Sequence, residues 1–341
     1  MSEDHLDKET SISAELTETG VKAAAKSRAV ASFDRLLGSI SDAGSAWFEG
    51  VSGRRRAKTE GERQLIDATA KYGIERLRMD EAFASRAFEN HFKKVAQQQL
   101  NKDAVVAEAI EDLRRTPPTD EEATTGPEAV SEEFISRFES FAEGATSEEL
   151  RERWGRILAG EIRKPGTFNR KVLRATDELD PSAAALFESL MPYRMRNLLV
   201  ISIMPNLSLD QRLSLISSGL IADPGFAGHR NEFQPVSLNG EDAWATSMGN
   251  IVMSFPKSVS LLGMNNDVIA VPKKAPAYSV LILTDIGIAL SSILPSDERL
   301  VAANYAKRLK LTLSSAEITF WRQEPERIVK IPWPLYDGYS A

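Results

Sequence analysis

From Ala57 to Leu100 the chain runs without a proline, and Leu65, Ile66, Ile74, Leu77, Phe83, Phe88, Phe92 and Val95 recur through it in a charged, helix-compatible pattern. One continuous helix of about forty residues would reach about 60 Å, more than the diameter of a small domain. Part of its apolar side therefore needs a partner helix or a second subunit to cover it. Val105, Val106, Ala109, Ile110 and Leu113 extend the same signal until Pro117-Pro118 ends it.

Around that rod the chain divides by composition. Residues 1–20 are rich in acids and hydroxyls without periodicity and read as a disordered tail. Residues 21–115 read as a long-helix region, in which Phe33, Leu36, Leu37, Ile40, Trp47, Phe48 and Val51 fall close to one helical face although Gly38 and Gly44 weaken it. The prolines, acids and Gly126 of residues 116–130 mark a linker. A helical signature domain follows over residues 131–192, with Asp180-Pro181 opening a helix as N-cap and first-turn proline. Beyond Pro192 the character changes: a helical pattern over Leu209–Ser218 leads through Gly219-Leu220-Ile221 to strand-like runs at Ile251–Phe255, Val268–Val271 and Ser279–Leu283. Thr284 can cap a helix bearing Ile288, Leu290 and Ile293, and a helix near Leu300–Leu309 and a strand near Ile318–Trp321 complete residues 193–341. This succession resembles a winged-helix arrangement with an enlarged wing. The expected class is mostly α, with long N-terminal helices, a helical middle and a C-terminal α/β winged-helix-like domain.

The most particular segment is Trp154-Gly155-Arg156-Ile157-Leu158-Ala159-Gly160-Glu161, closed by Lys164-Pro165-Gly166-Thr167-Phe168. Thr146 with Glu149 three residues later has the form of a capping box, and Leu150, Trp154, Ile157 and Leu158 form one apolar stripe. Glu161 falls near the middle of that stripe, so its carboxylate needs an arginine, a lysine, helix-terminal amides or a retained proton. Gly160 admits another backbone, and Pro165-Gly166 stops the helix and turns the chain. A general base or metal ligand at Glu161 would want a His, Cys or second carboxylate nearby, and none has the spacing. Trp154, Glu161, Pro165 and Gly166 are therefore read as structural and interaction residues.

This segment resembles the signature of an uncharacterised bacterial family of unknown function, DUF2806, in which a Trp-x-x-Ile/Leu-Leu-Ala-Gly-Glu helix leads into a Pro-Gly-Thr/Ser-Phe turn. The likeness runs from about residue 30 to residue 310, through Gln97-Gln98-Gln99-Leu100-Asn101 upstream and Leu283-Thr284-Asp285-Ile286-Gly287-Ile288-Ala289-Leu290 downstream. Two departures stand out: Gln98-Gln99 replaces an Arg-Gln pair, and Glu133-Phe134 replaces an Asp-Trp pair. The resemblance brings no established activity. It implies a place near phage-related and defence genes, hence a role in bacterial phage defence or a phage-encoded counterpart.

With 341 residues, 42% hydrophobic and 27% charged, the chain can bury two cores, and a net charge of -7 argues against a protein that coats nucleic acid. The absence of cysteine excludes disulfides, thiolate catalysis and cysteine-bound zinc, and with no apolar leader it points to the cytoplasm. His5, His91 and His229 are too scattered for a metal site, and Asp223, His229 and Glu232 read as an ordinary polar loop. No P-loop, dinucleotide fingerprint or nucleophile elbow is present. No residue is assigned to catalysis, to a cofactor or to a metal. Arg54-Arg55-Arg56-Ala57-Lys58 follows the Trp47-Phe48 face, so Trp47, Phe48, Arg54, Arg55, Arg56 and Lys58 are the candidate contacts to a phosphate backbone or an anionic membrane surface. The leading expectation is a non-enzymatic, homo-oligomerising interaction protein with a protein partner. A nucleic-acid-binding protein and a membrane-surface effector are the alternatives.

Overall fold

Ala25, Ala29, Phe33 and Leu36 repeat every three or four residues and are all buried, which fixes the inner face of helix α1 (Ala23–Leu37). The structure, a computed structural model, describes residues 23–37, 81–124, 126–249, 251–314, 316–323 and 328–332, in two units that divide after Arg170. The first unit continues with α2 (Glu81–Arg115), α3 (Asp120–Thr124), α4 (Glu132–Glu143) and α5 (Glu148–Arg163). Its core is built from Val105, Val106, Ala109 and Leu113 of α2, Phe134, Ile135 and Phe138 of α4, and Trp154, Ile157, Leu158 and Ile162 of α5.

Helix α2 is about 50 Å long at the usual rise per residue, and its two halves differ. The C-terminal half is folded against α1, α4 and α5 of its own chain. In the N-terminal half Phe92 is 65% exposed, Val95 46% and Leu100 60%. Cover from outside the chain is therefore a question for half of the rod only. The expected stretch Ala57–Asp80 lies outside the described residues.

Serines set the starts of α4 and α5. The Ser131 hydroxyl accepts the Phe134 N–H at 3.2 Å, and the Ser147 hydroxyl accepts the Leu150 N–H at 3.3 Å. Helix α5 thus starts one residue later than the Thr146 pattern suggests. Glu149 falls at its second position, where its own backbone amide and the Ser147 hydroxyl hold the carboxyl below its usual range. The stretch 116–130, expected as a linker, contains α3 and is tied down by buried Arg28. That guanidinium donates to the carbonyls of Pro127 at 2.8 Å and of Glu122, Ile162 and Arg163 at 3.2 Å each. The last two are end carbonyls of α5, so Arg28 also supplies partners that the helix cannot supply itself.

After α6 (Arg170–Asp177) and α7 (Pro181–Ser189), the second unit is mixed α/β. Its strands are β1 (Arg194–Met195), β2 (Leu198–Val200), β3 (His229–Glu232), β4 (Gln234–Leu238), β5 (Glu241–Met248), β6 (Ile251–Pro256), β7 (Ala277–Ile282), β8 (Thr319–Gln323) and β9 (Ile328–Ile331). They form two antiparallel sheets, ordered β1-β2-β7-β3 and β4-β5-β6-β8-β9. Helix α8 (Leu209–Ser217) lies between β2 and β3 in sequence, α9 (Asp285–Ser291) follows β7, and α10 (Glu298–Thr312) precedes β8. Phe233, Met253, Phe255, Tyr278, Tyr305 and Phe320 centre the core that both sheets share with α10. This sheet content makes the chain as a whole mixed α/β, with the helical character concentrated in the first unit.

Several sequence expectations shift here. Val268–Val271 forms no strand; Ala270 makes isolated bridges to Asn265 and Ala277. Asp223, His229 and Glu232 do not share a loop, because His229 and Glu232 lie on β3, three residues apart and so on opposite faces of the sheet.

Candidate interaction site

Glu161 is 2% exposed and lies on the inner face of α5, in the last turn of the helix. Its two oxygens accept different amides of the turn that follows: Gly166 donates to Oε1 at 2.6 Å and Phe168 to Oε2 at 2.9 Å. The turn needs φ +90° at Gly166, a conformation that suits glycine. Burial pushes the Glu161 carboxyl up, outweighing the downward pull of the Gly166, Phe168 and Thr167 amides. The carboxylate thus satisfies backbone donors and fixes the path from α5 into the Lys164–Phe168 turn. Among the described residues no group of His, Cys, Asp and Glu could hold a metal ion.

Trp154 sits two turns earlier on the same face of α5. Its ring stacks on Phe141 at 4.9 Å and meets the edge of Phe138 at 5.9 Å, while Phe138 stacks on Phe134 at 5.3 Å. Next to it, Gly155 brings α5 against α2: a Cβ there would stand 2.4 Å from Glu108 Cβ. The sequence does not single out Gly155. Its place at the crossing is set by the register of α5 against α2. At the end of α5, Arg163 pairs with the Asp112 carboxylate and donates to the Thr116 carbonyl at 2.9 Å.

A polar cluster around buried Asn101 ties the base of the exposed α2 segment to the α4–α5 turn. The Asn101 carboxamide donates to the Glu143 carbonyl at 2.8 Å and accepts from Gln97 and Arg151 at 3.0 Å each. Arg151 also donates to the Ala145 carbonyl at 3.0 Å. Gln98 donates to the Glu143 carboxylate at 3.0 Å, and Lys102 donates to Glu139 at 3.0 Å. Gln99 reaches the Leu36 carbonyl of α1 at 3.3 Å and Asp103 at 2.7 Å. Gln98 and Gln99 are therefore working members of this network. Above this cluster the exposed segment carries Phe92 and Val95 beside Arg86, His91, Lys93 and Lys94, and Leu100, at the level of the cluster, is exposed as well.

Trp47, Phe48, Arg54, Arg55, Arg56 and Lys58 lie outside the described residues. No helix among the described residues is long and apolar enough to cross a membrane. In the second unit α8 carries Arg212 as its one cation, and Leu209 and Leu213, one turn apart, are exposed beside it.

No curated protein and no solved structure matches the chain. Residues 85–197, which hold the polar cluster, Trp154, Glu161 and the Pro165-Gly166 turn, match the family described as a protein of unknown function, DUF2806.

Proposed function

We propose that this is a non-enzymatic interaction protein that self-associates through the N-terminal half of α2 and offers its α/β unit to a protein partner. The observation that carries the reading is the contrast along one helix. Val106, Ala109 and Leu113 are buried by their own chain, whereas Phe92, Val95 and Leu100 meet solvent. Phe92 and Val95, three residues apart, share one side of the helix, and an apolar side left to solvent is the ordinary signature of an association surface. The polar cluster around Asn101 supports it by holding the exposed segment at a fixed angle to the first unit.

For the α/β unit, the succession of α8, Leu220-Ile221, β7 and a Thr284-capped α9 favours a winged-helix-like reading. Leu209 and Leu213 on α8, with Arg212 as the single cation, favour a protein over a phosphate backbone as its contact. A role in bacterial phage defence, or as a phage-encoded counterpart, is part of this proposal and rests on the sequence resemblance alone. The test is a mass measurement of the full chain in solution, run beside DNA retardation and anionic-vesicle flotation. Self-association with no retention by DNA or vesicles is the expected outcome. A monomer that binds either would replace the reading with a nucleic-acid or membrane role for the Trp47 to Lys58 stretch.

A further inference from the structure

We draw no further inference here: the strongest candidate, the exposed Phe92 and Val95 side of α2, belongs to the surface already proposed for self-association, and nothing in the structure shows what covers it.

Discussion

Gly155 faces Glu108 with no room for a side chain between α5 and α2: a Cβ on Gly155 would stand 2.4 Å from Glu108 Cβ and 3.0 Å from the Ala109 nitrogen. Two backbones and a branch point cannot yield as a long side-chain tip can. Gly155→Ala is expected to cost about 1–3 kcal/mol, as overpacking does, although alanine is the better helix former. Urea unfolding of the variant beside the parent chain measures it. A stabilised variant would contradict the close crossing.

Glu161→Ala leaves the Gly166 and Phe168 amides without their acceptor inside the first unit, at an expected cost of about 1–3 kcal/mol for each amide left unpaired. Glu161→Gln separates charge from shape. Because the folded chain raises the carboxyl's pKa, it holds that proton more tightly than the unfolded chain does. The stability contributed by this group is therefore full below the ordinary carboxylate range and is lost as pH rises through the raised value. The stability difference between the parent chain and Glu161→Gln should be larger on the acid side of that window than above it. Unfolding curves taken across the window check the sign, and a difference that grows with pH would refute it.

Asn101→Leu keeps the volume and removes three hydrogen bonds that join α2 to Glu143, Gln97 and Arg151. A loss of about 1–3 kcal/mol is expected from the groups left unpaired. Hydrogen exchange should rise at Gly144 and Ala145, where the α4–α5 turn is held. Protection unchanged there would mean the turn stands without the cluster.

Much of the helical part was legible because its signals are local. Asp180 accepts the Ser182 N–H and Thr284 accepts the Gly287 N–H, both as cap residues of those types do. The need of Glu161 for a partner was also legible, since a carboxylate on an apolar stripe cannot stand alone. Which partner was not, because the answering amides come from a turn whose shape depends on Gly166 at positive φ. The sheets were read only in pieces. Leu238 pairs with Glu241 across Asn239-Gly240, both at positive φ, a two-residue hairpin turn that its Asn-Gly pair could have announced. Strand β3 has polar residues throughout and carries no alternation to find. Its place is set by β7, where Asn231 donates to the Tyr278 hydroxyl at 2.7 Å, a contact 47 residues distant in sequence.

Sedimentation equilibrium of the full chain and of Val95→Asp over a micromolar concentration series tests the central claim most directly. Val95 is nearly half exposed on α2, so the aspartate leaves the fold of the first unit intact while placing a charge beside Phe92 on the exposed side of the helix. The parent chain is expected to approach twice its mass of 37.6 kDa as concentration rises, and Val95→Asp to stay near the single mass. A parent chain that remains at 37.6 kDa throughout, or a variant that associates as well as the parent, contradicts the account.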